Sequence, residues 1–318
     1  MKKNPSLRKA VAYYLQCRRE LGFALAKDGV QLDGFVRYAE QIHHRGPLTV
    51  GLALNWAKLP QDANPLWWAR RLDIVHRFAR FWVAHDPRTQ VPPTGVFGPS
   101  YHRGPVHIYT DAEISALLHA TRQLGPSGSW KPNLYRTLLG LLACTGLRIS
   151  EALGLEDQDA DCESGVLTVR RGKSGHSRCL PLHTSAVAAL NGHRKLRRRT
   201  IVQPKGSAYF LTSRGKPLVY RRVAAVFRQL CNALGWAHSP RPRLHDLRHT
   251  FAVRCLICWH EKNQDVGQKI LALSTYLGHR HVASTYWYLT AVPQLLKLAS
   301  KRFEMGAKAL PSYEKSSF

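Results

Sequence analysis

Residues 244–253 run LHDLRHTFAV. His245 and Arg248 stand three apart, so on a helix they share one side of a turn and both can point at one anion. His249 lies close to His245 in angle, yet Phe251 and Val253 follow it, and it reads as a histidine that anchors the helix in a core. Three further segments hold basic or hydroxyl groups in otherwise apolar, well-patterned contexts: TGLRISEALGL at 145–155, GKSGHSR at 172–178 and LGHRHVASTYWYL at 277–289.

The surroundings place each segment on an element. Leu134 to Cys144 is apolar almost all round, as a core helix should be, and Thr145-Gly146 ends it, which sets Arg148 at the head of the next short helix. Val166–Val169 and Cys179–Leu182 are β-prone and joined by RRGKSGHSR, a pattern that predicts a hairpin with Lys173 near its tip. Arg178, five residues on, is the alternative working cation of that hairpin. Tyr209–Leu211 is another strand-like piece, ahead of a Ser-Arg-Gly-Lys-Pro turn and a helix carrying Val223, Val226, Phe227 and Leu230. Beyond it the chain is helical, with breaks around 235–242 and near Gly278, and the residues HEKNQDVGQ at 260–268 are expected to form a surface loop. Cys255 and Cys258 make a C-x-x-C near His249 and His260, the spacing of half a zinc site. No second C-x-x-C completes it, and the segment reads as the apolar continuation of a helix.

The whole chain has 318 residues, with 47 lysines and arginines against 20 acids and a formal charge of +27. At roughly 100–200 residues per domain the length implies two domains. A charge of that size repels itself on compaction and points to a polyanionic partner, nucleic acid first and an anionic membrane second, against the plainer reading of a basic solubility or ribosome-type surface. No window reaches the roughly 18 apolar residues of a membrane span, and MKKNPSLRKA lacks an apolar signal core, so a cytoplasmic, soluble protein is expected. Seven scattered cysteines read as reduced thiols.

The first 85 or so residues read as helices. Asn64-Pro65 starts one with two faces: Leu72, Val75, Ala79 and Trp82 on one, Arg70, Arg77 and Arg80 on the other, the latter either a solvated face or a contact to DNA phosphates. A Pro/Gly-rich linker is placed at 89–108, after a helical domain at 1–88 and before a second domain at 109–304 with a tail at 305–318. Thr110-Asp-Ala-Glu opens the second domain with a capping-box spacing. The run Arg194, Lys195, Arg197, Arg198, Arg199 is the densest cluster of charge, again either solvated or on DNA.

Taken together and in this order, the four segments resemble the tyrosine recombinase, or phage integrase, family over roughly Thr110 to Leu296. The resemblance implies a mainly α fold with a small antiparallel β-sheet (α+β), a helical N-terminal DNA-binding domain and a catalytic domain closing as a clamp on duplex DNA. It makes Arg148 and Arg248 the two catalytic arginines, Glu151 a supporting acid, Lys173 the catalytic lysine, His245 and His279 the catalytic histidines, and Tyr288, nine residues past His279, the nucleophile. Tyr286 would point about 200° away on a helix, so only one of the two phenols can reach a phosphate. Four protomers on paired sites, exchange through a Holliday junction, contact of the region after Tyr288 with a neighbouring protomer, and service to a bacterial mobile element are implied by the same resemblance; accessory proteins are not.

The chemistry is consistent with those residue types. Charge accumulates on the nonbridging oxygens of a phosphodiester as a nucleophile approaches, and guanidiniums, always charged and forked, suit it. A positive cluster favours the Tyr288 phenolate, whose phenol otherwise ionises near pH 10, and Lys173 is suited to protonate the departing 5′ oxygen. The few, isolated acids make no two-metal site, so neither metal nor cofactor is expected. A type IB topoisomerase-like relaxing enzyme and a catalytically silent DNA-binding protein are the rival readings.

Overall fold

The computed structural model describes residues 6–101, 104–126, 128–170, 177–236, 241–291, 295 and 300. They belong to two compact units, Met1–Gly104 and Pro105–Phe318. In the first, helices α1 (Leu7–Glu20), α2 (Ala26–Gln41), α3 (Val50–Ala57) and α4 (Pro65–Trp82) enclose Leu32, Phe35, Trp56, Val75 and Phe78. The Asn64 side chain caps α4 by accepting from the Leu66 N–H at 2.9 Å. Leu72, Val75, Ala79 and Trp82 are buried while Arg70, Arg77 and Arg80 are exposed, as the two-faced pattern requires.

The division between the two units falls inside the stretch read as a linker, at Gly104 and Pro105, and the first part of that stretch packs on the helical unit. Thr89 is buried, the Gln90 N–H donates to Leu48 O at 2.8 Å, His76 bonds Pro92 O at 2.6 Å, and Phe97 packs edge-on to Trp68 at 5.9 Å. Proline prevents a helix here, but the extended chain uses its carbonyls and apolar side chains to coat the helical unit.

In the second unit the order is α5 (Asp111–Ala120), α6 (Trp130–Thr145), α7 (Ile149–Leu153), β1 (Ala160–Asp161), β2 (Val166–Val169), β3 (Arg178–Pro181), α8 (Thr184–Thr200), α9 (Tyr220–Ala233), α10 (Leu244–Glu261), α11 (Val266–Leu277) and α12 (Ala283–Ala291). The strands form one antiparallel sheet in the order β1-β2-β3, with Val169 opposite Arg178, so β2 and β3 pair as expected, and Lys173, expected near the tip between them, lies outside the described residues. Strand β1 was not legible beforehand. Tyr209–Leu211 does not make a strand; isolated bridges pair Ala208 with Glu156 and Leu211 with Pro217. HEKNQDVGQ is not a loop either. His260 and Glu261 finish α10, Val266 to Gln268 begin α11, and Asp265 caps α11 through the Gln268 N–H at 3.2 Å. No described helix is long and apolar enough to cross a membrane.

Buried Leu138, Leu139 and Leu142 confirm α6 as a core helix, and it stops at Gly146, whose φ of 62° is left-handed. A Cβ at that position would stand 2.6 Å from Phe251 Cδ1 on α10 and 3.2 Å from Leu277 Cδ2 on α11. Gly146→Ala therefore adds backbone strain to overpacking where three helices meet. A loss of more than about 2 kcal/mol is expected in urea unfolding; an unchanged midpoint would contradict this account of the turn.

Candidate active site

The turn after α6 and the start of α7 set the first guanidinium. Arg148 is the N-cap of α7, and its backbone N–H donates to Glu151 Oε2 at 3.1 Å. Its side chain donates to Glu151 Oε1 at 2.7 Å, to Leu277 O at 3.3 Å and to Gly278 O at 2.9 Å. Arg248, on the first turns of α10, is 2% exposed and donates to Gly146 O at 2.9 Å and Leu277 O at 2.6 Å. Burial and then the Arg148 charge push its pKa down to about 10, which leaves it charged at neutral pH.

Glu151 neutralises part of this charge. Burial alone would raise its pKa, but hydrogen bonds from Arg178 and Arg148 outweigh that and hold it below the usual carboxylate range. Arg178, the first residue of β3, donates to both Glu151 oxygens at 3.2 and 2.8 Å and to Tyr276 O at 2.6 Å. The hairpin's alternative cation is thus a clamp joining β3 to α7 and to the end of α11.

The histidines come from α10 and the α11–α12 turn and the tyrosine from α12. His245 is exposed, yet the protein packed around its ring, with the Arg248 and Arg148 charges, pushes its pKa down to about 4. His279 falls to about 4 for the same reasons, burial first, and its Nδ1 bonds Thr285 Oγ1 at 2.6 Å. Tyr288 is 2% exposed, its ring nearly parallel to His279 at 6.4 Å and its phenol 3.0 Å from His249 Nδ1, whereas Tyr286 is 48% exposed. His249, read as a histidine that anchors its helix in a core, is partly buried and packs on Trp287 and Tyr288, and that contact adds a polar partner to the packing. Its spacing of four from His245 was the available signal, since i and i+4 share a helix face.

The basic residues assigned to DNA divide. Arg197 is buried, donates to Ala208 O at 3.2 Å and Tyr209 O at 2.9 Å, and pairs with Asp157, while Arg194 donates to Asp157 O at 2.9 Å and Ala160 O at 2.7 Å. Both are turned into the unit, which corrects that part of the expectation; Lys195, Arg198 and Arg199 remain exposed. In the helical unit Arg77 pairs with Asp28 at 3.2 Å and Arg70 bonds Ser100 O at 3.0 Å, each keeping an exposed side chain. Cys255 and Cys258 are free, partly buried thiols, and among the described residues no three His, Cys, Asp or Glu side chains could share a metal ion.

Removing Arg178 leaves the buried Glu151 with one cation instead of two. Arg178→Ala is expected to cost on the order of 3 kcal/mol in denaturant unfolding. Arg178→Lys, lacking the fork, should recover only part of it; stability equal to wild type in the alanine variant would remove the clamp from this account. The lowered histidines also set a pH dependence. His245 and His279 at about 4 and the fully buried His193 at about 3 all lie below the ordinary 6.5, so between these values the unfolded chain binds more protons than the native one. Stability is fully present above pH about 6.5 and falls as the pH drops toward 4. Calorimetric Tm values should decline between pH 7 and 5, and a flat profile would contradict the assignment.

The chain is similar to known proteins in sequence and in fold. The phage integrase family model matches residues 108–294. The y4rB protein of Sinorhizobium fredii (strain NBRC 101917 / NGR234), assigned by name to the integrases/recombinases, is 40% identical over 307 residues, 94% of this chain and 97% of that protein. Tyrosine recombinase XerC of Chlamydia trachomatis serovar D is 31% identical over 228 residues, covering 72% of this chain and 67% of that protein. The fold is similar to that of the Tn1549 transposon integrase in complex with transposon right-end DNA, at a TM-score of 0.69 and 20% identity over 96% of this chain and all of that one. It is also similar to a lambda integrase tetramer bound to a Holliday junction, at 0.60 and 15% over 90% of this chain and 78% of that one. With the family match spanning more than half of the chain and the y4rB relative nearly all of it, this chain belongs to the phage integrase family, the tyrosine recombinases.

Proposed function

We propose that the protein is a site-specific DNA recombinase that cuts and rejoins duplex DNA through a 3′-phosphotyrosine on Tyr288, with neither metal nor ATP. The observation that carries the reading is the placement of the Tyr288 ring beside His279 and His249 in a site built around Arg148 and Arg248, with Tyr286 outside it. Arg148 and Arg248 bind the nonbridging oxygens of the scissile phosphate. Each guanidinium has five N–H donors, so its carbonyl contacts orient it and leave capacity for the phosphate. Neutral His245 and His279 add hydrogen bonds, and Glu151 positions Arg148. Lys173 protonates the leaving 5′ oxygen. Because the phosphotyrosine conserves the energy of the phosphodiester, rejoining needs no external source.

Double-stranded DNA is the partner, held through exposed arginines and lysines of both units, among them Arg70, Arg77, Arg80, Lys195, Arg198 and Arg199. Four copies acting on paired sites, as in the lambda integrase tetramer, fit the need to exchange two duplexes, and the Tn1549 likeness supports service to a mobile element in a bacterial cytoplasm.

The decisive experiment incubates purified protein, without metal or ATP, on nicked suicide duplexes drawn from the DNA flanking its own gene. A covalent 3′ adduct should form with wild type and Tyr286→Phe and vanish with Tyr288→Phe, while Arg148→Ala and Arg248→Ala slow its formation by at least about 10²-fold. An adduct that survives Tyr288→Phe, or none on DNA the protein binds, sinks the proposal.

A further inference from the structure

We infer that His249 is a further catalytic residue, the acceptor of the Tyr288 phenolic proton; the inference rests on Tyr288 being the nucleophile. A nucleophile with an ordinary ionisation near pH 10 is weak at neutral pH unless a base lies within hydrogen-bond reach of it. The His249 Nδ1 stands 3.0 Å from the Tyr288 phenol oxygen, inside that reach. Neither of the other two histidines offers a described contact of this kind. His279 faces the phenol ring at 6.4 Å with its Nδ1 on Thr285 Oγ1, and His245 meets His249 edge-on at 4.6 Å.

The packing holds the base in place. His249 is wedged between His245 on its own helix and Trp287 and Tyr288 on α12, with centroids at 4.6, 5.6 and 5.4 Å. His245 and His279 are neutral at pH 7, so neither adds a positive charge against an imidazolium at position 249.

With Nε2 carrying its hydrogen, His249 Nδ1 takes the proton as the Tyr288 O–H bond breaks, and the phenolate oxygen bonds to phosphorus. The P–O5′ bond breaks and the 5′ oxygen leaves with the Lys173 proton. In rejoining, Lys173 takes the proton back from the 5′ hydroxyl, that oxygen attacks phosphorus, and the departing phenolate recovers its proton from His249.

The test measures single-turnover adduct formation on the nicked suicide duplex for wild type, His249→Ala, His249→Asn, Lys173→Ala and Tyr288→Phe. Each is assayed with an ordinary 5′ oxygen and with a bridging 5′ sulfur, which leaves without needing a proton. Both His249 variants should be slower by about 10²- to 10⁴-fold on both substrates, with DNA affinity kept. Sulfur should rescue Lys173→Ala alone. Asparagine places an amide near Nδ1 without basicity, so a wild-type rate in His249→Asn would reduce His249 to a positioning group and overturn the inference. Sulfur rescue of His249→Ala would overturn it too, by making His249 the acid. If alanine unfolds the protein, the asparagine variant decides. Loss of adduct in Tyr288→Phe with full rates in both His249 variants rejects the base and keeps the nucleophile, whereas an adduct in Tyr288→Phe rejects the nucleophile itself.

Discussion

Two guanidiniums donate to one carbonyl oxygen. Arg148 reaches Leu277 O at 3.3 Å and Arg248 reaches it at 2.6 Å, and the catalytic unit is organised around the repulsion between these like charges. Full burial of an unpaired cation is prohibitive, so the charges need negative partners close by. Glu151 supplies one, shared by Arg148 and Arg178. Backbone supplies the rest: Gly146 O ends α6, and Tyr276 O, Leu277 O and Gly278 O end α11. A helix C-terminus presents carbonyls without intrahelical partners and the negative end of the macrodipole. The three arginines therefore act as caps for two helices, and the same contacts that terminate α6 and α11 make a dense positive cluster tolerable.

This explains the glycines in the two motifs. Gly146 and Gly278 are both left-handed, at φ 62° and 66°, which turns the chain sharply out of each helix and leaves its last carbonyls facing the arginines. A side chain at 278 would put its Cβ 2.8 Å from Arg178 Nη1. Thr-Gly-Leu-Arg and Leu-Gly-His are thus two copies of one physical solution, in which a helix end, a glycine and a guanidinium converge. His279 follows directly from the second of them and comes to rest on Thr285, which fixes the start of α12.

Local pattern made the elements legible, along with the residues whose side chains act at element ends. The all-round apolar run of α6, the glycine after it and the position of Arg148 at a helix head needed only neighbours in sequence. That only one of Tyr286 and Tyr288 can face a phosphate was equally local, since two residues on a helix cannot face the same way; the choice of Tyr288 came from its spacing to His279 in the family resemblance. What escaped depends on long-range pairing. Arg197 sits in a run that looks like a solvated face, but Asp157, 40 residues away in sequence, draws it inside along with the Ala208 and Tyr209 carbonyls. Arg178 looked like a spare cation because Glu151 is 27 residues away and Tyr276 is 98 away. The prolines of the supposed linker signalled correctly that no helix forms; they carried no information on whether the strand of chain would lie against Leu48, Trp68 and His76. Strand β1, two residues long, is too short for any alternation to show.

The position of Tyr288 follows from the same economy of contacts. An attacking oxygen must stand about 3–3.5 Å from phosphorus and be aligned with the leaving group. Helix α12, which carries the tyrosine, packs on α10 and α11. Those are the helices that bear Arg248 on one side and end in the Leu277 and Gly278 carbonyls on the other. Tyr288 belongs to the core cluster that joins them, with Val253, Leu256, Ile270 and Leu277. Tyr288 is therefore held, together with its His249 contact, on the surface that holds the two arginines. The proposed nucleophile, its hydrogen-bond partner and the two arginines are thus tied to one packed interface.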